Sequence, residues 1–205
     1  MRIAVLGAGA WGTALAIAFA ARHEVVLWAR DVQSVAEMAQ QRVNSRYLPE
    51  CLFPPGLQVT ADFAEALAGA DLALLAGPLA GLRDLLGRLK SAAPGTPFLW
   101  VCKGLEAGTG LLPHQVVAEV MGAVRCGVLT GPSFALEVAR GLPAAMVMAA
   151  QRADEFVPKV QVAMSGSTLR IYTSDDLAGA EYGASLKNIY AIAAGLCDGQ
   201  KLGDN

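Results

Sequence analysis

The chain has 205 residues, of which 54% are hydrophobic and only 17% are charged. This composition is typical of a compact globular protein with a sizeable core, and it argues against disorder. Sixteen lysines and arginines against eighteen acidic residues give a formal net charge of −2. Because there is no basic stripe, nucleic-acid binding is excluded as the main role, and a small-molecule role is favoured. No apolar run reaches the roughly 18–20 residues that a membrane span requires.

Short apolar runs alternate with helical patterns, which indicates parallel βαβ units. The predicted strands are Arg2–Leu6, Glu24–Trp28, Leu72–Ala76, Phe98–Cys102, Cys126–Leu129, Ala145–Ala149 and Leu169–Tyr172. The predicted helices are Thr13–Ala21, Val32–Gln41, Leu79–Leu89, Pro113–Met121 and Asp154–Met164, with a short helix opened by an Asp62–Glu65 capping box. We therefore predict an α/β fold: a Rossmann-like, doubly wound, mostly parallel sheet over residues 1–176, followed over 177–205 by the start of an all-helical second domain.

Two segments depart from this alternation. Asn44–Leu57 contains YLPECLFPPG, whose three prolines predict a long loop. From Leu177 the chain becomes a helix rich in small residues, with Ile189, Ile192 and Leu196 along one stripe. Small residues at this density predict a helix that packs closely on several sides.

The first residues of the chain have two competing interpretations. A basic Arg2, an apolar stretch and small residues at Ala20 and Ala21 resemble a secretory signal with its cleavage site. Alternatively, GAGAWG is a dinucleotide-binding turn, because it lies directly between the strand RIAVL and the helix TALAIAFAA. Three glycines and a tryptophan interrupt the apolar stretch, and the supposed cleavage site leads into another buried strand. The dinucleotide turn is therefore favoured.

In this turn, Gly7, Gly9 and Gly12 match G-x-G-x-x-G. Gly7 permits the tight turn, Gly9 leaves room for a pyrophosphate beside the backbone, and Gly12 lets the helix approach the strand. The helix N-terminus presents free N–H groups and a positive partial charge to the phosphates. The sequence therefore predicts that NAD or NADP binds here.

The end of the second strand favours one of these two cofactors. An acidic residue at this place accepts hydrogen bonds from the NAD ribose, whereas an arginine accommodates the 2′-phosphate of NADP. The sequence WARD puts Arg30 there, with Asp31 directly beyond. NADP is slightly favoured, and NAD remains open through Asp31. The alternative for Arg30 is an ordinary exposed charge at a strand end.

Candidate reactive residues follow the later strands or lie in the last helix. Lys103 follows FLWVC, Gly131 and Ser133 follow GVLT, and Lys187 lies within the helix of small residues. A lysine held there would lose solvation, which lowers its pKa as a proton donor at neutral pH requires. Simpler roles stay open: Lys187 could extend to water, Lys103 could be a solvated loop residue, and Ser133 could cap the following helix.

The cysteines and histidines predict no metal site. The four cysteines are widely scattered without a CxxC pair, and they have no ligand-like spacing to either histidine. We expect reduced thiols, with Cys102 and Cys126 in the core. Both His23 and His114 are expected at the surface or in turns.

Taken together, the motifs resemble those of the bacterial NAD(P)-dependent glycerol-3-phosphate dehydrogenases. The resemblance runs from GAGAWGTALA through LWARD, YLP, CKGLE, GPSFALEVARGLPAA and SLKNIYAIAAGLCDG, almost to the last residue. The series KGLE, GPSFA and LKN is far more specific than the glycine turn alone. This family reduces dihydroxyacetone phosphate to sn-glycerol 3-phosphate for glycerophospholipid synthesis.

The resemblance implies roles for individual residues. The implied cofactor contacts are Gly7, Gly9, Ala10, Trp11, Gly12, Arg30, Lys103 and Ala135. The implied substrate contacts are Lys103, Gly131, Ser133 and Lys187. Lys187 would be the catalytic residue that gives a proton to the ketone oxygen, with Asn188 orienting it. Many relatives have serine where this chain has Ala10, a change that removes a hydroxyl but keeps the backbone N–H groups.

The resemblance also implies features of the complete enzyme. In the family a helical domain continues past the residues matching GDN and supplies an arginine for the substrate phosphate. The chain ending at Asn205 is therefore expected to be poorly active or inactive alone. A cytoplasmic location and a homodimer are further expectations. Two alternatives stay open: another dehydrogenase of the 6-phosphogluconate or β-hydroxyacid type, and a non-catalytic dinucleotide-binding module.

Overall fold

A computed structural model describes residues 1–150 and 155–203 of the chain. The strands are β1 (Arg2–Leu6), β2 (Glu24–Trp28), β3 (Val43–Asn44), β4 (Leu48–Leu52), β5 (Leu57–Thr60), β6 (Leu72–Leu75), β7 (Phe98–Trp100), β8 (Cys126–Thr130), β9 (Ala144–Ala149) and β10 (Leu169–Ser174). The α-helices are α1 (Ala10–Ala20), α2 (Val32–Gln41), α3 (Phe63–Leu67), α4 (Leu82–Ala92), α5 (Pro113–Met121), α6 (Ala135–Ala139), α7 (Phe156–Met164) and α8 (Leu177–Gln200). A 3₁₀ turn, Leu79–Gly81, leads into α4.

Eight strands form one sheet in the order β5-β2-β1-β6-β7-β8-β9-β10. All neighbours in this sheet are parallel except β8 and β9, which are antiparallel. The chain builds outward from β1 to β2 on one side and from β6 to β7 on the other, so the winding reverses between β1 and β6. The predicted Rossmann-like, mostly parallel sheet is confirmed. Its reversal point opens a crevice at the carboxyl ends of β1 and β6.

Helices cover both faces of the sheet, which explains why its central strands are apolar along their whole length. In β1, Ile3 and Val5 pack into the core on one face, while Ala4 and Leu6 pack into the core on the other. Helix α1 is buried from Gly12 to Ile17 and lies against the sheet and α6. Its small residues allow this close packing at the end of the glycine turn.

The prediction of a long loop over Asn44–Leu57 was wrong. Strands β3 and β4 form a separate antiparallel pair, and β5 adds to the edge of the main sheet beside β2. Pro49 lies within β4, where a two-stranded ribbon leaves backbone groups on its outer edge that need no ladder partner. Pro54 and Pro55 lie between β4 and β5, so all three prolines occupy places that strands tolerate.

Several helices begin at different residues from those predicted. Helix α1 begins at Ala10 rather than Thr13, because the Thr13 N–H already donates to the Gly9 carbonyl at 2.9 Å. Asp62 caps α3 as predicted, but the Glu65 carboxylate accepts from the Thr60 hydroxyl instead of completing the capping box. The predicted helix over Asp154–Met164 is present as α7, and its residue 154 lies outside the described residues.

Helix α8 is only partly packed, contrary to the prediction. Its 24 residues extend over about 36 Å at 1.5 Å per residue, and the helix contacts α5, β8 and β9. Ile189, Ile192 and Leu196 are 60–66% exposed. The apolar stripe therefore exists but is uncovered within residues 1–150 and 155–203. The division into domains at residue 176 stays a prediction.

None of the helices that the structure describes is both long enough and apolar enough to cross a membrane.

Candidate active site

The glycine turn places two glycines where the fold requires them and one beside open space. Gly7 ends β1 with a φ of +128°, and a Cβ there would lie 2.8 Å from the Ala76 carbonyl carbon. A Cβ at Gly12 would lie only 2.0 Å from the Gly7 carbonyl oxygen. A Cβ at Gly9 would meet nothing within 4 Å. Gly9 precedes the N-terminus of α1, so this open space fits a phosphate-bearing group approaching the free N–H groups.

A groove of about 770 Å³ runs from this turn along the carboxyl ends of β1, β2 and β6. The predicted residues Gly7, Gly9 and Arg30 line it together. Arg46 and Tyr47, from the turn between β3 and β4, form part of its wall and were not predicted. The groove lies at the reversal point of the sheet, where open α/β folds bind their ligands.

The strand end that distinguishes NAD from NADP presents an arginine to this groove. Arg30 is exposed, while the Asp31 Oδ1 atom accepts a hydrogen bond of 2.7 Å from the Ser34 N–H and caps α2. Hydrogen bonds from Ser34 lower the pKa of Asp31, and the positive charge of Arg46 contributes in the same direction. Asp31 is therefore engaged in capping, whereas Arg30 and Arg46 leave two guanidinium groups beside the groove.

Asn44 joins the groove wall to the glycine turn. Its side-chain amide donates to the Ala8 carbonyl at 2.9 Å and to the Thr13 hydroxyl at 2.8 Å. Its own oxygen accepts from the Tyr47 N–H at 3.3 Å. Asn44 is only 4% exposed, so these three bonds satisfy most of the capacity of a buried amide. No local sequence signal identified Asn44, because its partners come from other segments.

The structure brings together the segments that carry Lys103 and Lys187, although these two residues lie 84 positions apart in the sequence. Lys103 follows β7 and is exposed, whereas Lys187 is half-buried on α8. Partial desolvation and the positive charge of Lys187 together lower the pKa of Lys103. The Gly104 N–H donates to the Ser185 hydroxyl at 2.9 Å, which ties the turn after β7 to α8. Neither Ser185 nor this tie was predicted.

The predicted residues at the end of β8 lie outside the groove lined by Gly7 and Arg30. Gly131 and Ser133 are half-buried between β8 and α6. A Cβ at Gly131 would lie 2.7 Å from the Ala145 carbonyl oxygen, so strand packing already accounts for this glycine. Helix α6 has no side-chain cap, and Ser133 therefore does not cap it.

Three further predicted cofactor residues lie at helix starts. Ala10 and Trp11 open α1 directly after Gly9, and Trp11 packs partly against the core. Ala135 opens α6, which packs on α1. All three therefore lie on the α1 side of the glycine turn, and none of them lines the 770 Å³ groove.

The prediction of a surface or turn position was wrong for His114. The buried Glu181 carboxylate, on α8, accepts from the His114 N–H at 3.0 Å and lies 2.5 Å from its Nδ1 atom. It also accepts from the Trp100 indole N–H at 2.8 Å. This partner from α8 explains why His114 is half-buried. His23, in contrast, lies in a turn as predicted.

The burial of the thiols agrees with the prediction in part. Cys102 is buried as predicted, and burial together with the charge of Glu181 raises the pKa of its thiol to about 12. Cys126 is only half-buried rather than a full core residue. The described part of the chain contains no cluster of histidine, cysteine and acidic side chains suited to a metal ion.

Comparison with known proteins identifies relatives over the whole chain. A curated glycerol-3-phosphate dehydrogenase [NAD(P)+] from Aromatoleum aromaticum is 57% identical over 206 aligned residues, which cover all of this chain and 62% of the relative. One from Acidovorax ebreus is 53% identical with the same coverage. A crystal structure of glycerol-3-phosphate dehydrogenase from Coxiella burnetii matches with a TM-score of 0.89 and 39% identity over all of this chain and 63% of that one. The chain thus spans about 62% of the length of these curated relatives.

Family models give the same result. The model described as NAD-dependent glycerol-3-phosphate dehydrogenase N-terminus matches residues 2–156, and the corresponding C-terminus model matches residues 176–205. These matches confirm the resemblance that the motifs KGLE, GPSFA and LKN indicated. The chain therefore belongs to the NAD(P)-dependent glycerol-3-phosphate dehydrogenase family.

Proposed function

We propose that this chain provides the cofactor-binding domain and the catalytic lysine of an enzyme that reduces dihydroxyacetone phosphate to sn-glycerol 3-phosphate. The observation that carries this proposal is the Gly104–Ser185 hydrogen bond, which joins the segments of Lys103 and Lys187, and the charge of Lys187 acts on Lys103 across this junction. Lys103 lies beyond the carboxyl end of β7, at the same edge of the sheet as the glycine turn, and the Gly104–Ser185 bond brings the α8 segment that carries Lys187 to this edge. The names of the curated relatives support this reaction.

The groove and the glycine turn fit NADPH. The open space at Gly9 and the N-terminus of α1 would receive the pyrophosphate. Arg30 and Arg46 would pair with the 2′-phosphate, since arginine suits phosphate oxygens and Asp31 is engaged in capping. Ala10, Trp11 and Ala135 are proposed as further cofactor contacts on the α1 side. Bound NADPH supplies the hydride.

Lys187 would donate a proton to the ketone oxygen as the carbonyl carbon receives hydride, and it would accept that proton in the reverse direction. Lys103 would contact both the substrate and the cofactor. Two neighbouring positive charges also suit a phosphorylated substrate. Gly131 and Ser133, after β8, are proposed to contact the substrate as well, and Asn188 to orient Lys187.

A substrate panel tests the proposal. NADPH oxidation by the full-length protein is measured with dihydroxyacetone phosphate, and NADP reduction is measured with 6-phosphogluconate and simple β-hydroxyacids. The proposal predicts a strong preference for dihydroxyacetone phosphate. Preference for another substrate would support the other dehydrogenase class. Cofactor binding without turnover on any substrate would support a non-catalytic module.

We also propose that the complete enzyme is a cytoplasmic homodimer whose product serves glycerophospholipid synthesis. Family membership supports the product and its use, and the free cysteines of the described residues fit a reducing compartment. Light scattering on the full-length protein and cell fractionation test these two expectations. A monomer or a membrane-associated pool would contradict them.

A further inference from the structure

Helix α8, which carries Lys187, is anchored to the sheet domain by a buried carboxylate. Glu181 is 2% exposed and accepts from the Trp100 indole and from both the backbone and the ring of His114. His114 is the second residue of α5, and the N-cap residue Leu112 makes no side-chain cap. The Glu181 carboxylate therefore caps α5 from another helix, where a negative charge is favourable.

One helical turn later, a hydroxyl makes a second attachment. The Ser185 hydroxyl donates to the Glu181 carbonyl at 2.8 Å and accepts from the Gly104 N–H at 2.9 Å. A serine hydroxyl has one proton to donate and lone pairs to accept, so both bonds form at once. Ser185 thus joins the backbone of α8 to the residue that follows Lys103.

The other end of this turn is fixed independently of α8. The Glu106 carboxylate accepts from the Arg83 Nε and Nη2 atoms at 2.6 and 2.9 Å, and from the Thr109 hydroxyl at 2.7 Å. Arg83 lies on α4, which packs on α5. The turn that bears Lys103 is therefore held at Glu106 by α4 and at Gly104 by α8.

We propose that Ser185, supported by Glu181, is a positioning residue: its hydroxyl sets the register of α8 against the turn after β7, so that the ammonium groups of Lys103 and Lys187 face one site. The two lysines lie on separate segments, and among the described contacts this hydroxyl is the polar link closest to both of them. The catalytic consequence rests on the proposed function of Lys187. The geometric claim does not.

The pKa of Lys103 provides a readout that simple anchoring would not change. It is measured by NMR titration of ¹³C-dimethylated lysines, with the Lys103 signal assigned by its loss in Lys103→Arg. Ser185→Ala removes the link to Gly104, so α8 should move away from the turn, which reduces both the burial of Lys103 and the effect of the Lys187 charge on it. We expect the pKa of Lys103 to rise toward the ordinary lysine value.

A serine on another helix offers a matched control. Ser91, on α4, donates to the Gly87 carbonyl four residues earlier at 3.0 Å, as Ser185 does to Glu181, but without a bond to another segment. Ser91→Ala should leave the Lys103 titration unchanged. Ser185→Thr keeps a hydroxyl and should restore the wild-type value. If Ser185→Ala does not fold, Ser185→Cys replaces the hydroxyl with a weak hydrogen-bonding thiol of similar size and should give the same shift.

Two outcomes would overturn the positioning role. One is an unchanged Lys103 pKa in folded Ser185→Ala or Ser185→Cys. The other is an unchanged Lys103 pKa in Lys187→Met, which removes the neighbouring charge while keeping an unbranched side chain.

Kinetics on the full-length enzyme separate this inference from the proposed function. Ser185→Ala should lower kcat and leave the Kd for NADPH unchanged, and Ser185→Thr should recover kcat. If Lys187→Met keeps its turnover, the proposed catalytic role fails while the NMR test of Ser185 still stands. If Lys187→Met is inactive and Ser185→Ala keeps both kcat and the Lys103 pKa, the positioning role fails alone.

Discussion

The glycine turn allows fold and cofactor binding to be separated by two single substitutions. In Gly12→Ala, the added Cβ would lie 2.0 Å from the Gly7 carbonyl oxygen and 2.8 Å from the Ala76 Cβ. Ordinary contact begins near 3.4 Å, so α1 would have to move by more than an ångström although its next five residues are buried. Such overpacking costs about 1–3 kcal/mol, which for a chain of this length lowers Tm by about 2–12 °C.

Gly9→Ala should have the opposite profile. Its Cβ would meet no atom within 4 Å, and its φ of −72° suits any residue. The cost to the fold is at most about 1 kcal/mol, from the poorer N-cap. The methyl group would nevertheless occupy the space through which the pyrophosphate approaches the backbone. We expect at least a tenfold loss of NADPH affinity, which corresponds to about 1.4 kcal/mol.

Thermal melts followed by circular dichroism and calorimetric titration with NADPH measure both quantities on each variant. The expected result is that Gly12→Ala loses stability and binding together, whereas Gly9→Ala loses binding alone. Unchanged NADPH affinity in Gly9→Ala would refute the placement of the pyrophosphate at this turn. An unchanged Tm in Gly12→Ala would refute the steric argument.

Three further predictions address the groove and the core. Arg30→Ala should lower the affinity for NADPH about tenfold, because a charge-assisted hydrogen bond contributes about 1.5 kcal/mol, and it should leave the affinity for NADH nearly unchanged in fluorescence titrations. Equal losses of affinity for the two cofactors would exclude a contact between Arg30 and the 2′-phosphate. Asn44→Asp removes two buried donors, so it should lower the free energy of unfolding in urea by about 1–3 kcal/mol and weaken the binding of NADPH. Gln41→Glu, the same chemical change at an exposed position, should change neither quantity. Equal effects of the two substitutions would contradict the role of Asn44 in joining the groove wall to the glycine turn. Burial raises the pKa of Cys102 to about 12, so iodoacetamide at pH 9 should alkylate the exposed Cys197 and leave Cys102 unmodified, as measured by peptide mass mapping. Cys102 should become reactive only as the pH rises toward 12 or as the protein unfolds. Rapid alkylation of Cys102 in the native protein at pH 9 would contradict this prediction.

The sequence predicted best those features whose parts are contiguous. The strand, glycine turn and helix from Arg2 to Ala20 form one continuous segment, so its motif carried both fold and cofactor chemistry. The position of Arg30 beside the groove could be predicted in the same way, because Arg30 lies only two residues beyond the end of β2. Alternation of apolar runs with helical patterns likewise identified the α/β class, because the central strands β1, β6 and β7 are buried on both faces.

The errors occurred where tertiary context overrides a local signal. Prolines broke the pattern over Asn44–Leu57, but they occupy a ribbon edge and a turn, and the segment supplies both β4 and part of the groove wall. Asn44 acquires its role only through Ala8 and Thr13, which lie more than thirty residues earlier. No period or spacing in a single segment encodes such a contact.

The polar contacts of α8 were missed for the same reason. In the sequence, Glu181 is one more charged residue within a helix, but in the structure its carboxylate is buried and accepts hydrogen bonds from β7 and α5. His114 reads as a surface residue until this carboxylate is placed beside it. Lys187 could be identified as a candidate from the small residues around it, but its proximity to Lys103 depends on the tie through Ser185.

The most direct test of the central claim is the turnover of Lys187→Ala in the full-length protein, measured as NADPH oxidation with dihydroxyacetone phosphate beside the Kd for NADPH. Loss of a general acid lowers turnover by about 10²–10⁴-fold, and because Lys187 lies outside the glycine-turn groove, the Kd should stay at the wild-type value. Wild-type turnover by this variant would contradict the assignment of Lys187 as the proton donor.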